Sequence, residues 1–263
     1  MACYLALGTL GGLLAGLLGI GGGMIMVPFM AMLFQAQGHP YETLMQVALA
    51  TSMATIMFTA ISSMRAHHKL GNVRWDLVKL MVPGMLIGCM LGATVLSKMP
   101  TRAVKIFFAC FMFYSSIRMM RSANSAVETT PMPSGAPLFG FSTFVGVIST
   151  MVGAGGAFIT VPYMNAHGVN GRHAIGTSSA FGFPLALFGT IGYIWNGWSV
   201  PNLPGPHIGY VFVPALIGFA IASVLAAPLG AKLAQRLPIP TLKRVFAVLL
   251  MLLAARVMWM AFR

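Results

Sequence analysis

Long apolar runs with almost no charge are the feature that most constrains this chain. No charged residue precedes Glu42, and only 7% of the 263 residues are charged while 58% are hydrophobic. A soluble domain carries roughly 25% charged residues and must cover its surface with polar groups. The chain is therefore expected to be an integral membrane protein whose main solvent is lipid.

The net charge of +13 does not indicate nucleic-acid binding. The basic residues lie in short gaps between the apolar runs rather than on one face, which is typical of topology signals. The three cysteines are widely spaced and predict neither a disulfide framework nor a CxxC metal site. The N-terminal run lacks the basic start of a cleaved signal peptide, so we expect it to remain in the protein.

Charge-free stretches between turn residues predict the helices, since about 20 apolar residues are needed to cross the hydrocarbon. These segments predict an all-α fold, a polytopic bundle of membrane helices. The ten segments, some of them short, lie near residues 3–18, 23–37, 43–64, 76–97, 103–121, 137–152, 156–167, 173–195, 207–231 and 241–261. A stretch rich in Ser, Thr, Pro and Gly indicates a linker. The predicted division is a first membrane repeat at 1–121, a linker at 122–136 and a second membrane repeat at 137–263.

The two halves share a sequence pattern. Residues 19–30 align without gaps on residues 153–164, with glycines, an Ile, a Val-Pro pair and a Met at matching positions. Further along, Ala50-Thr51-Ser52 corresponds to Gly176-Thr177-Ser178. One structural unit is therefore predicted to occur twice.

The sequence favours an inverted relation between these repeats. Residues 3–37 are too many for one crossing and contain a glycine break, so we predict a hairpin of two short segments and an odd number of crossings in each half. Cations in the loop near 65–75 place it on the cytoplasmic side, whereas its counterpart at 196–206 has no charge. Three cations do not fit this arrangement, which puts them outside: Lys98, Arg102 and Lys105. A parallel repeat with four helices in each half stays open.

The glycine clusters are the strongest candidates for a functional site. Each glycine inside a helix costs about 1 kcal/mol relative to Ala, so the clusters predict breaks, which lipid tolerates only where protein buries the backbone or a cavity lies beside it. Helices that restart after Gly23 and Gly156 would aim free N–H groups and positive dipole ends into the protein, where they can bind an anion. Close helix packing is the alternative. The predicted helix-break residues are Gly19, Pro28, Gly153 and Pro162.

Hydroxyl side chains form the second part of the predicted site. A Thr-Ser pair recurs opposite each glycine break, and the first pair continues as a polar stripe through Thr55 and Thr59. Hydrogen bonding to the helix's own carbonyls is the alternative role. The predicted substrate-binding residues are Gly21, Gly22, Gly23, Thr51, Ser52, Gly155, Gly156, Thr177 and Ser178.

Residues for catalysis and for metal binding are missing from the pattern. The three acids, Glu42, Asp76 and Glu128, fall at helix ends or in the linker, so neither paired carboxylates nor a buried proton-relay carboxylate is expected. The second Thr-Ser segment lacks the GxSxG spacing of a nucleophile elbow. We therefore expect no enzyme activity, no catalytic residue, no metal site and no cofactor.

Several segments together resemble the sulfite exporter TauE/SafE family of membrane transporters. They are GLLGIGGGMIMVP, ALATSMATI and HHKLGNVRWDLVKLMVPGMLIG in the first half, and VGAGGAFITVP and IGTSSAFGFP in the second. The resemblance covers nearly the whole chain. It implies a multi-pass inner-membrane carrier of small anions, typically of sulfur metabolism, such as sulfite, thiosulfate or organosulfonates.

The expected mechanism is alternating access by two inverted halves around a midplane anion site. The expected partners are a small anion and the lipid bilayer, and not nucleic acid. Proton or sodium coupling and a homodimer are left open. The alternative functions are an anion channel and a membrane scaffold that transports nothing.

Overall fold

The fold is a bundle of helices in a computed structural model that describes residues 2–18, 22–122, 131–201, 203–236 and 239–262. In the first half the helices are α1 (Ala2–Leu18), α2 (Gly23–Ala36), α3 (Leu44–Lys69), α4 (Trp75–Ser97) and α5 (Thr101–Ser122). In the second half they are α6 (Ala136–Val152), α7 (Ala157–Ala166), α8 (Gly171–Gly197), α9 (Val213–Arg236) and α10 (Ile239–Phe262). The predicted all-α membrane bundle is confirmed.

Six helices of the described residues are long and apolar enough to cross a membrane, three in each half: α3, α4, α5, α8, α9 and α10. The other four are shorter, and they flank the two glycine clusters. Among the long helices, α3 and α8 are the most buried. The centre of the bundle therefore consists of the two helices that carry the Thr-Ser pairs.

The predicted segment near 207–231 is wrong at its beginning. His207–Ile208 (β1) and Val211–Phe212 (β2) form a short antiparallel hairpin, and α9 begins only at Val213. Gly205 and Gly209 on either side of β1 have φ angles of 82° and 55°. Such left-handed residues do not continue a helix, which is why the apolar run starts as a turn and a hairpin.

Helices of one half pack on helices of the other. Glycines spaced four residues apart let α1 lie directly against α9, and a second set lets α4 lie against α6. The first set pairs Gly8, Gly12 and Gly16 with Phe219, Ser223 and Ala227, and the second pairs Gly84, Gly88 and Gly92 with Phe139, Thr143 and Val147. In addition, α3 packs on α8 and α5 on α10. The two halves are thus interlocked rather than separate.

Basic side chains lie at both ends of the bundle. At one end, the ends of α3 and α9 bring Arg65, Lys69 and Lys232 to one cleft. At the other end, Lys105 Nζ donates a hydrogen bond to the Met260 carbonyl at 3.1 Å.

Candidate functional site

Two short helices begin in the interior of the bundle, each after a glycine. Gly22 precedes α2 with φ 74°, and Gly156 precedes α7 with φ 79°. A residue with a Cβ atom adopts this left-handed conformation at a cost of about 1 kcal/mol or more, so glycine is preferred. Neither glycine offers a side chain to cap the helix. The first-turn N–H groups and the positive end of each helix dipole therefore face the protein interior without a side-chain cap.

The start of α2 lies directly against the break between α6 and α7. Gly153 ends α6 in the left-handed region with φ 61°, and Ser52 Oγ donates a hydrogen bond to its carbonyl at 3.1 Å. A Cβ atom on Gly23 would overlap that same carbonyl oxygen. Gly23, Ser52 and Gly153 therefore form a tight joint between the halves.

The threonines of the two Thr-Ser pairs connect the halves in a matching way. Thr51 Oγ1 accepts a hydrogen bond from the Phe212 backbone N–H at 3.0 Å, and Thr177 Oγ1 accepts one from the Arg74 N–H at 3.0 Å. Phe212 and Arg74 each stand immediately before a helix of the opposite half, α9 and α4 respectively. Since a hydroxyl that accepts one bond can also donate one, this role leaves each threonine a proton to offer.

The start of α7 is surrounded by hydroxyl groups. Thr160 Oγ1 lies 2.6 Å from Ser178 Oγ and donates a hydrogen bond to the Gly156 carbonyl at 3.2 Å. Thr160 and Ser178 are both fully buried. Ser178 therefore contacts the first turn of α7 through another hydroxyl.

The described candidates are all buried, but their contacts lie in different places, since Thr51 is near the start of α3 and Thr177 bonds to Arg74 beyond the end of α3. Thr51, Ser52, Thr177, Ser178 and the glycines at 22, 23, 153, 155 and 156 are all buried. Gly19 and Gly21 lie outside the described residues. The hydrogen bonds of these hydroxyls to described residues join them to backbone groups and to another hydroxyl, so the electrostatic character there comes from backbone and hydroxyl dipoles.

The prolines do not break the helices. Pro28 and Pro162 each occupy the sixth position of a continuous helix, α2 and α7. A proline so close to the N-terminus removes one hydrogen bond, to the carbonyl of the second helix residue, and the first turn continues. The breaks lie at the glycines that precede each helix.

One polar residue was missed by the sequence pattern. Ser149 is fully buried on α6, and its Oγ has no hydrogen-bond partner within the described residues. This oxygen lies 2.9 Å from the position that a Cβ atom on Gly156 would occupy. The same offset of 134 that aligns the glycine clusters pairs Ser149 with Ala15. A serine in the second half where the first half has an alanine is the sequence signal that could have identified Ser149.

Metal coordination finds no support in the part of the chain that the structure describes. No group of three or more His, Cys, Asp or Glu side chains occurs there. The helix starts present backbone N–H groups, which bind anions, and the hydroxyl groups beside them can donate hydrogen bonds.

Short helices that begin at glycine breaks inside a bundle with two related halves are typical of secondary transporters. The model of the family "Sulfite exporter TauE/SafE" matches residues 4–257. The chain belongs to this family and is a multi-pass membrane transporter of the TauE/SafE type.

Similar proteins are described as probable membrane transporter proteins. A probable membrane transporter protein of Haemophilus influenzae is 35% identical over 252 residues, which are 95% of this chain and 95% of that protein. Probable membrane transporter protein YdhB of Bacillus subtilis is 28% identical over 241 residues, or 88% of this chain and 89% of that protein. A probable membrane transporter protein of Methanocaldococcus jannaschii is 24% identical over 240 residues, which are 88% of this chain and 85% of that protein. No solved structure matches the chain.

Proposed function

We propose that this protein carries small sulfur-containing anions, such as sulfite, thiosulfate or an organosulfonate, across the inner membrane. The observation that carries the proposal is the pair of helix N-termini without side-chain caps inside the bundle, at Gly23 and Ala157. Backbone N–H groups and the helix dipole stabilise a negative charge at such a position without a charged side chain. The choice of sulfur chemistry rests on the family description.

The proposed anion contacts are the predicted site residues. Gly22, Gly23, Gly155 and Gly156 would offer open backbone, and Thr51, Ser52, Thr177 and Ser178 would offer hydroxyl groups. Oxyanions are hydrogen-bond acceptors, so backbone N–H groups and hydroxyl groups can bind them as donors. No cofactor and no catalytic step is needed for this role.

The proposed mechanism is alternating access by two inverted halves. The packing supports this mechanism. In the two repeats α1 corresponds to α6 and α4 corresponds to α9, and α1 lies along α9 in the same way as α6 lies along α4. Three long apolar helices in each half of the described chain would, if each crosses the membrane once, make the odd number of crossings that inversion requires. The cleft with Arg65, Lys69 and Lys232 would mark the cytoplasmic end.

The membrane potential would favour export. Each net negative charge that leaves a cell with a negative interior gains about 2.3 kcal/mol per 100 mV. Export could therefore proceed without a coupling ion, whereas uptake would need a proton or sodium ion to move with the anion.

Flux in proteoliposomes tests the proposal. Purified protein would be assayed with sulfite, thiosulfate, a small sulfonate, sulfate and acetate, with and without an imposed pH gradient or voltage, against protein-free liposomes. We expect saturable flux of at least one sulfur anion other than sulfate, and its response to the gradients identifies the coupling ion. Currents far above carrier turnover would indicate a channel. Absence of both flux and ligand-dependent thermal stabilisation across the panel would contradict transport and favour a scaffold.

A further inference from the structure

A cleft between α3 and α9 lies on the outside of the bundle, away from the buried helix starts. Its volume is about 530 Å³, and it opens where both helices end. Arg65 and Lys69 from α3 and Lys232 from α9 contribute three exposed cations to its wall.

Within the part of the chain that the structure describes, no protein anion pairs with these three cations. The one ion pair among the described residues joins Arg74 to Asp76, and none involves Arg65, Lys69 or Lys232. Arg65 and Lys69 are four residues apart, so they lie on the same face of α3, where like charges repel. Binding of an external anion would relieve the repulsion between these cations.

The cleft continues along the outer face of α9 as an apolar groove. A second cleft of about 470 Å³ shares Phe58 and Val224 with the first and is otherwise lined by apolar residues of α9, among them Ile217 and Ala220. From Ile217 to Lys232, α9 rises about 22 Å, which exceeds one leaflet of a hydrocarbon core about 30 Å thick.

Hydrogen bonds between the helices fix the floor of this groove. Ser62 Oγ donates to the Val224 carbonyl at 2.8 Å, and Thr59 Oγ1 lies 2.6 Å from Ser223 Oγ. Because both helices are held together directly beneath the cleft, its shape exists before a ligand arrives, which lowers the cost of binding.

We propose that this groove binds one anionic phospholipid. The phosphate of the headgroup contacts Arg65, Lys69 and Lys232, and an acyl chain lies along Phe58 and Val224. Basic clusters between membrane helices at the cytoplasmic side bind anionic headgroups for the same electrostatic reason. The cations favour a negative headgroup over a zwitterionic one, and the apolar groove favours a lipid over a water-soluble phosphate.

Native mass spectrometry of the purified full chain tests this site. Phosphatidylglycerol, phosphatidylcholine and glycerol 3-phosphate would be titrated separately, and glycerol 3-phosphate also as a competitor. We expect phosphatidylglycerol to bind at least tenfold more tightly than phosphatidylcholine, and glycerol 3-phosphate not to displace it. Arg65→Gln, Lys69→Gln and Lys232→Gln should each weaken phosphatidylglycerol binding about fivefold, since each cation near the membrane surface contributes about 1 kcal/mol.

Two further variants separate charge from groove shape. Lys79→Gln removes an exposed cation of α4 that does not line the cleft, so binding should stay unchanged. Ala220→Trp fills the apolar groove without changing charge and should weaken binding of the lipid. Circular dichroism and elution volume would verify that each variant is folded.

Three results would overturn the proposal. The first is equal binding of phosphatidylglycerol and phosphatidylcholine. The second is unchanged binding in all three Gln variants. The third is full displacement by glycerol 3-phosphate, which would indicate a site for soluble anions. Sulfite flux measured on the same variants is a separate readout, because the proposed transport site shares no residue with this groove.

Discussion

The starts of α2 and α7 have the same backbone but different surroundings. Each helix follows a glycine in the left-handed conformation, Gly22 or Gly156. At α2, the space beside Gly22 is filled by the backbone of Gly11 in α1. At α7, the space beside Gly156 is bounded by the Ser149 hydroxyl and by aliphatic side chains. One break is thus closed by protein, and the other faces a hydroxyl without a partner among the described residues.

The residues that align at the sequence offset of 134 explain this difference. Ser149 beside α7 corresponds to Ala15 beside α2, and Thr160 inside α7 corresponds to Met26 inside α2. The second half therefore has three hydroxyls around its helix start, and the first half has apolar groups at two of those places. A repeated backbone can serve as a packing joint in one copy and as a ligand contact in the other. On this basis we expect α7 to contribute more to anion binding than α2.

The largest effect is expected at Gly23. Gly23→Ala places a Cβ atom on the Gly153 carbonyl, and since both are backbone positions the helices must separate. We expect loss of several kcal/mol of stability and of flux, in line with the cost of overpacked or strained cores. Thermal unfolding in detergent and flux assays measure both.

The matched control is the aligned residue of the second half. Ala157→Gly should cost only about 1 kcal/mol, the ordinary penalty of glycine in a helix, and should retain flux. If Gly23→Ala were as stable as the wild type, the tight joint at the start of α2 would be disproved.

An intermediate effect is expected at the two threonines. Thr51→Val leaves the buried N–H of Phe212 without its acceptor and should destabilise the protein by about 1 to 3 kcal/mol. Thr177→Val should cost less, because the Arg74 N–H is partly exposed and water can replace the threonine. Chemical denaturation compares the two, with Thr51→Ser and Thr177→Ser as controls that keep the hydroxyl. Equal losses of stability would contradict the difference in burial.

The smallest effect is expected from a change of pH. The groups that respond are two histidines, one of which, His39, follows the C-terminal end of α2. The rings of His39 and His207 lie 5.6 Å apart, and burial lowers the pKa of both below the usual 6.5. The unfolded chain then binds protons more readily than the folded one, so this contribution to stability is present above pH 6.5 and decreases as the pH falls toward the lowered values. We expect the Tm to decrease between pH 7 and pH 5, and His39→Gln with His207→Gln to reduce that slope. An unchanged slope in the double variant would contradict a role for the pair.

Much of the fold follows from local sequence, because lipid imposes long charge-free runs on any helix that crosses it. The predicted segment near 43–64 corresponds to α3, and the helices predicted to restart after Gly23 and Gly156 begin at Gly23 and Ala157. The start of α9 could not be predicted in the same way, since hydropathy does not distinguish an apolar hairpin from a helix. Only the turn glycines around β1 indicate the difference.

The pairing within the candidate site depends on contacts that are distant in sequence. Thr51 meets Phe212 from the opposite half, and Ser52 meets Gly153. Nothing near Thr51 specifies such a partner. Ser149 lies in an apolar run, where a single serine is usually bonded to its own helix. Its open hydroxyl becomes visible only when α6 and α7 are placed together.

The transport KM of Ser149→Ala tests the central claim most directly. The variant would be compared in proteoliposomes with wild type and with Ser142→Ala, a fully buried serine two turns away whose hydroxyl already bonds to the Leu138 carbonyl. A hydrogen bond to a charged ligand contributes about 1.5 to 3 kcal/mol, so we expect the KM of Ser149→Ala for the transported sulfur anion to rise at least tenfold. Its stability should be unchanged, because no protein partner is lost, whereas Ser142→Ala should keep the wild-type KM. A wild-type KM in Ser149→Ala, with flux intact, would contradict an anion contact at the start of α7.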